Sequence, residues 1–149
     1  MSSALKVELG RRYRFSASHR LHTAHLSEEE NSRVFGKCSN PHGHGHNYVV
    51  EVTVGGQVDP VTGMVCNLAD LDRCVQSKVI DRFDHANLNF DERFSKEVPT
   101  TENLCIAIHN LLAEHFVHAD LERVRVEETR NNFFEYAGRG KHGTSSSRS

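Results

Sequence analysis

Hydrophobic and polar residues alternate along two segments in the N-terminal part of the chain. In residues 7–19 the odd positions are mainly apolar, and in residues 44–54 the even positions are. Because successive side chains of a strand point to opposite faces, each segment predicts a β-strand with one buried face. Arg11 interrupts the first of these faces. The buried faces comprise Val7, Leu9, Tyr13, Phe15, Ala17 and His19 in one strand, and His44, His46, Tyr48, Val50, Val52 and Val54 in the other.

The spacing then changes to three and four residues, which predicts two helices in the middle of the chain. Asn67 can cap the first helix, and Thr100 or Thr101 can cap the second, since these residue types are preferred at helix N-caps. The predicted apolar stripes are Leu68, Leu71, Val75 and Val79 in the first helix, and Leu104, Ile108, Leu111 and Leu112 in the second.

Alternation returns in residues 121–128 and 133–136, which predict two more strands joined by a turn at Asn131 and Asn132. The order strand, strand, helix, helix, strand, strand indicates an α+β fold. Residues 20–37 show no clear period and predict an irregular segment. We expect one domain over residues 1–138, and a disordered tail over residues 139–149, which are poor in apolar residues.

Composition narrows the class of protein. The chain has 149 residues, which suits one domain, and 18 basic residues nearly balance 20 acidic ones, so nothing favours a nucleic-acid or membrane partner. No apolar run approaches the roughly 18 residues of a membrane span. The four cysteines form no CxxC pair, and Met1 is followed by Ser-Ser-Ala-Leu-Lys, so we expect a cytoplasmic, reducing location. The 11 histidines need a chemical explanation.

Residues 38–47 read Cys-Ser-Asn-Pro-His-Gly-His-Gly-His-Asn. Neutral imidazole is a good zinc ligand, and a catalytic zinc site takes three protein ligands and keeps an open position. His44 and His46 project to the same side of their strand, and His19 ends a similar row, so antiparallel pairing would bring the three rings together. The alternative is a flexible metal-scavenging tract without a catalytic role. The direct passage of this tract into a strand argues against that alternative.

Other residues allow two interpretations each. Cys38 alone is more often inert than reactive, but a nearby dication would lower its pKa. Asp84-His85 fits the end of a helix, or an oriented proton-transfer pair. Glu128 ends the row of Val124 and Val126, where burying a carboxylate is unfavourable unless it meets a charge or a hydrogen-bonding ligand. Residues 100–103 have an ordinary explanation as a helix start.

In combination, these motifs resemble the 6-pyruvoyl-tetrahydropterin synthase family, from about Arg12 to Tyr136. The resemblance is specific because the motifs occur in order and with family-like gaps. They are Phe15-Ser16-Ala17-Ser18-His19-Arg20, Phe35-Gly36-Lys37-Cys38, His44-Gly45-His46-Asn47-Tyr48, Asp59-Pro60-Val61-Thr62-Gly63-Met64-Val65, Asp84-His85-Ala86-Asn87-Leu88, Thr100-Thr101-Glu102-Asn103 and Glu128-Thr129.

The resemblance implies a tunnelling fold (T-fold), in which a four-stranded antiparallel sheet carries two helices on one face. Three sheets would close into a trimeric barrel, and two trimers would form a homohexamer with active sites between subunits. It also implies a set of site residues. Zinc would be bound by His19, His44 and His46, Cys38 would be the proton-abstracting base with Asp84 and His85 as relay partners, Glu128 would anchor the pterin, and Thr100, Thr101 and Glu102 would line its pocket.

The implied reaction converts 7,8-dihydroneopterin triphosphate to 6-pyruvoyl-tetrahydropterin with elimination of triphosphate, in tetrahydrobiopterin biosynthesis. One alternative is a 6-carboxytetrahydropterin synthase-like enzyme, in which the cysteine typically lies four residues before the first histidine of the HGH element; here Cys38 lies six before His44. Another is a non-catalytic metal-binding protein. His42 and Glu127 depart from the family pattern, and we expect His42 to point away from the metal. The triphosphate would need basic side chains, and the sequence does not decide among Lys37, Arg20, Arg12 and Arg14.

Overall fold

The two long alternating segments form the two strands that they predict, and these strands are antiparallel neighbours. In the computed structural model, which describes residues 5–138, these are β1 (Lys6–His19) and β2 (His44–Gln57). Their register pairs His19 with His44 and Phe15 with Tyr48. The face predicted to be apolar is buried along most of its length, and its buried members belong to one hydrophobic core. The tail predicted to be disordered, residues 139–149, lies outside the described residues.

Within residues 5–138, the sheet has five strands in the order β3-β1-β2-β4-β5, with β4 at Asp120–Thr129 and β5 at Asn132–Tyr136. The prediction of four strands is therefore wrong. The additional strand, β3 (Ala86–Asn87), runs parallel to β1 at Ala17 and Ser18 and is too short to show any alternation. The sheet of one chain is open, and its closure into a trimeric barrel stays a prediction.

The two predicted helices are present and pack on the apolar face of the sheet. Asn67 caps α2 (Leu68–Val75), which continues through a π-helical turn (Gln76–Ile80) and a last helical turn (Asp81–Phe83). Thr100 caps α3 (Thr101–His115). Buried leucine, isoleucine and valine side chains of both helices join the core formed by β1, β2 and β4. None of the helices in the described part of the chain is both long and apolar enough to span a membrane.

A helix also occupies the segment predicted to be irregular. This helix, α1 (Glu28–Phe35), starts with a capping box in which Ser27 and Glu30 each accept a hydrogen bond from the other's backbone N–H. Its one buried residue is Asn31, whose side chain bonds the backbone of Thr23, Leu26 and Ser27. Polar contacts, and no apolar stripe, hold α1 in place. The helix predictions depended on apolar stripes, so they missed this helix. The Ser-x-x-Glu pattern was the available signal.

Arg11, which interrupts the apolar face of β1, bonds to α2. Its guanidinium contacts both carboxylate oxygens of Asp72, at 2.7 and 3.0 Å, and the Tyr13 hydroxyl donates to the same carboxylate at 2.7 Å. These hydrogen bonds hold the pKa of Asp72 below its usual value. A bidentate ion pair therefore links α2 to β1 at the position where Arg11 interrupts the apolar row.

Candidate metal centre

The end of β1 and the start of β2 bring the three predicted metal ligands together. His19 is the last residue of β1, and its partner His44 is the first residue of β2, with His46 two positions further on the same face. Cys38 joins them from a 3-10 turn, Gly36–Ser39, that follows α1. One ligand atom from each of these four residues lies within 4.8 Å of all the others.

The separations of these atoms suit a common ion. The Nε2 atoms of His44 and His46 are 2.9 Å apart, and the Cys38 Sγ is 3.4 Å from the His44 Nε2. With zinc–nitrogen bonds of 2.0–2.1 Å, tetrahedral ligand atoms lie about 3.3–3.4 Å from one another. Only small side-chain adjustments would therefore be needed to surround an ion.

His19 is held in the orientation that a metal ligand requires. Its side chain is fully buried, and its Nδ1 lies 2.9 Å from the carbonyl oxygen of Pro99, which can only accept a hydrogen bond. The proton of the neutral ring is therefore on Nδ1, and Nε2 carries the free lone pair. That Nε2 is buried and has no hydrogen-bond partner within residues 5–138. A buried polar atom normally has a partner, so the donor set fits a metal ion.

Burial also sets the protonation of the site. It lowers the pKa of His19, and the bond to Pro99 offsets part of this effect. Burial lowers the pKa of His46 as well, against the opposing charge of Glu128. The pKa of the Cys38 thiol is raised, chiefly by burial and further by Glu128. His19 and His46 therefore favour the neutral form that binds metals, whereas the thiol needs a nearby cation to ionise.

Glu128 meets polar partners, as the cost of burying a carboxylate at the end of an inward row predicted. Its Oε2 lies 3.3 Å from the His46 Nε2, and only 15% of its side chain is exposed. Its other oxygen, Oε1, accepts a hydrogen bond of 3.2 Å from the Asn132 amide. Asn132 and Pro99 were not predicted from the sequence as parts of the site. No sequence signal marks a backbone carbonyl or a turn amide for such a role.

Asp84 and His85 lie at the edge of the sheet. The Asp84 Oδ1 accepts from the Ser16 N–H at 2.9 Å, and the His85 N–H donates to the Ser16 carbonyl at 2.5 Å. The His85 ring lies 3.6 Å from the other Asp84 oxygen, and 84% of its side chain is exposed. The adjoining depression of about 510 Å³ includes Arg14 and Asn47, but none of the four metal-site donors among its described lining residues. This pair and Cys38 therefore face different spaces within one chain.

The remaining predicted residues lie around the start of α3. Thr100 accepts a hydrogen bond from the Asn103 N–H in its capping role, Thr101 is buried, and Glu102 is exposed. They follow Pro99, the residue that orients His19, so this segment adjoins the metal site. His42 is exposed and does not belong to the four-residue cluster, in agreement with its predicted outward direction.

The fold and the cluster define an α+β protein with a site that can hold a transition-metal ion. A model of the 6-pyruvoyl tetrahydropterin synthase family matches residues 8–139. The chain belongs to this family and is a lyase-type enzyme.

Individual relatives agree with this assignment. The chain is 50% identical over 125 residues to the 6-pyruvoyl tetrahydrobiopterin synthase of Poecilia reticulata, covering 83% of this chain and 85% of that one. It is 48% identical over 134 residues to the Homo sapiens protein of that name, covering 89% and 92%. The solved structure of Caenorhabditis elegans 6-pyruvoyl tetrahydropterin synthase matches with a TM-score of 0.85 and 44% identity, over 93% of this chain and 99% of that chain.

The metal-site assignment can be tested with two nearby histidines. We expect His46→Ala to lower zinc affinity by more than the roughly 10- to 100-fold loss that follows removal of an outer-shell partner, because it deletes a ligand. His42→Ala removes an exposed imidazole four residues earlier and should leave affinity unchanged. Competition titration with a zinc chelator measures both. Equal affinities in the two variants would show that the metal binds elsewhere.

Proposed function

We propose that this chain converts 7,8-dihydroneopterin triphosphate to 6-pyruvoyl-tetrahydropterin with elimination of triphosphate, in tetrahydrobiopterin biosynthesis. The observation that carries this proposal is the convergence of three imidazoles with a thiol, in a chain of this family. Incubation with the triphosphate and mass analysis of the pterin product tests it directly. A 6-carboxytetrahydropterin product would support the alternative enzyme, and unchanged substrate would support a metal-binding protein without this activity.

His19, His44 and His46 would hold Zn²⁺, leaving a position open for the substrate. When bound, the ion supplies Lewis-acid stabilisation of the negative charge that develops as the substrate side chain loses a proton. The protein prepares the ligands by burying two of them in neutral form and by fixing the His19 tautomer through Pro99.

Cys38 would take the proton from the substrate side chain. Its Sγ lies 3.4 Å from the His44 Nε2, so a substrate held beside the imidazoles comes within its reach. In the competing arrangement Cys38 is a fourth ligand, but a closed four-ligand set is typical of structural zinc sites. A base beside a three-ligand site therefore suits an enzyme better.

Glu128 would anchor the pterin ring. A pterin offers paired N–H donors along one edge, and a carboxylate is their natural partner. Asn132 binds one oxygen of Glu128 and thereby restricts its orientation. Thr100, Thr101 and Glu102 would line the same pocket, since they follow Pro99 at the start of α3.

Asp84 and His85 would return a proton to the substrate, but they would do so from another subunit. Within one chain this pair bonds to Ser16 of β1, directly before the edge strand β3, and lies outside the cluster that contains Cys38. A complete site would therefore need a second copy, which supports an oligomer; a homohexamer of two stacked trimers is the form that we propose. This assembly and the cytoplasmic location stay predictions.

Removing the thiol should separate turnover from metal binding. We expect Cys38→Ala to lower kcat by about 100- to 10,000-fold, the usual contribution of a general base. Zinc content should stay near that of the unsubstituted protein, and Cys74→Ala, which changes another partly buried thiol, should leave kcat unchanged. Steady-state kinetics and metal analysis provide the measurements. Full turnover in Cys38→Ala would exclude Cys38 as the base, and loss of zinc would identify it as a ligand.

Removing the anchor should weaken pterin binding more than metal binding. A hydrogen bond to a charged group contributes about 1.5–3 kcal/mol to the free energy of binding. Its loss in Glu128→Ala should therefore raise the dissociation constant of a pterin ligand by about 10- to 100-fold. The matched control is Glu127→Ala, which removes a carboxylate from the opposite face of β4. Fluorescence titration with a pterin and chelator competition for zinc compare the two effects. Equal losses in both would contradict the anchor role.

A shared site should allow two inactive variants to restore each other. If Cys38 and His85 act from different subunits, mixing dissociated Cys38→Ala and His85→Ala chains before reassembly should restore roughly a quarter of the original activity. A mixture of Asp84→Ala and His85→Ala chains is the control, since every site would still lack one relay residue. Absence of recovery in the first mixture, with assembly confirmed by light scattering, would place the whole site in one chain.

A further inference from the structure

We propose that Arg20 is a positioning residue for Cys38. Its guanidinium, together with the backbone N–H of Leu21, holds the turn that places the thiol beside the metal ligands. This inference rests on the proposed function, in which Cys38 abstracts a proton. It also separates Arg20 from the other basic residues that could contact the triphosphate.

Two adjacent residues beyond the end of β1 bind two successive carbonyls of the Cys38 turn. The Leu21 N–H donates to the Cys38 carbonyl at 2.6 Å, and the Arg20 Nε donates to the Ser39 carbonyl at 3.0 Å. The last carbonyls of a helical turn have no partner within the turn. Arg20 and Leu21 supply these partners, so the turn that carries Cys38 is bonded directly to the segment that follows His19.

Arg20 is itself anchored on its other side. Its backbone N–H donates to the Asn89 Oδ1 at 2.6 Å, and the Asn89 amide donates back to the Arg20 carbonyl at 2.9 Å. Asn89 belongs to the 3-10 turn (Leu88–Phe90) that follows β3. This reciprocal pair fixes the backbone from which the guanidinium extends.

The far end of the Cys38 loop is also constrained. Gly43 has φ +69°, and a Cβ at this position would lie 2.8 Å from the His19 carbonyl oxygen, so the loop passes directly against the end of β1. The loop is thus held by Arg20 and Leu21 at one end and lies against the end of β1 at the other. Between these constraints the Cys38 Sγ is placed 3.4 Å from the His44 Nε2.

Kinetics can separate positioning from phosphate binding. Arg20→Lys keeps the positive charge but loses the Nε–H donor, and Arg20→Gln loses the charge as well. Because a displacement of about 1 Å can reduce a rate about 100-fold, we expect both variants to lower kcat by about 10- to 100-fold while KM changes less than about twofold. Arg33→Gln, which neutralises an exposed cation on α1, should leave both constants unchanged. A phosphate contact would instead raise KM, and more in Arg20→Gln than in Arg20→Lys.

Thiol modification supplies a measurement that a general loss of structure would not reproduce. In the zinc-loaded protein, the iodoacetamide alkylation rate of Cys38 should change several-fold in the Arg20 variants, while Cys74 keeps its rate and buried Cys105 stays protected. Peptide mass spectrometry measures the three thiols together. An unchanged Cys38 rate, or a kcat equal to that of the unsubstituted protein, would overturn the inference.

A second variant covers the case in which substitution of Arg20 unfolds the chain, which exposure of Cys105 would reveal. Asn89→Ala removes both bonds to the Arg20 backbone but keeps the guanidinium, and it should lower kcat in the same direction without raising KM. If Asn89→Ala leaves kcat and the Cys38 alkylation rate unchanged, the inference is wrong. The Cys38→Ala variant distinguishes the two proposals, since full turnover there would reject the base assignment itself.

Discussion

The buried His19 side chain is the group on which the arrangement of the site depends. An imidazole without exposure is unfavourable unless its nitrogens find partners. Pro99 satisfies Nδ1 at 2.9 Å, which joins the end of β1 to the start of α3. The other nitrogen then faces His44 and His46 at the start of β2. One ring therefore connects three elements that are far apart in the sequence, and its Nε2 lone pair, where they meet, has no hydrogen-bond partner among the described residues.

Much of this arrangement could be predicted from the alternation of side chains between the two faces of a strand. His44 and His46 share a face because they are two residues apart, and antiparallel pairing placed His19 opposite His44. The same alternation also placed Glu128 in line with Val124 and Val126, and the structure brings its carboxylate to 3.3 Å from His46. These predictions succeeded because alternation depends only on local backbone geometry and on burial of one face.

The features that sequence reasoning missed are held by polar contacts. The helix α1 has one buried residue, Asn31, so an apolar period could not reveal it, and the Ser27–Glu30 capping box was hidden in an acidic run. The strand β3 has two residues, too few for any period. The contacts of the Pro99 carbonyl and the Asn132 amide could not be predicted either, because they depend on where the folded chain places these two groups.

Burial has opposite consequences for the two kinds of donor in the site. It lowers the pKa of His19 and His46, which favours their lone pairs, but it raises the pKa of Cys38, which favours the thiol. Without a cation, all three groups are therefore driven toward their neutral forms. A dication beside His19 and His46 would leave their neutral form preferred, but it would favour the thiolate of Cys38 over the thiol. The short distance between Cys38 and His44 consequently links ionisation of the thiol to occupation of the imidazole site, although the residues come from a turn and a strand with separate supports.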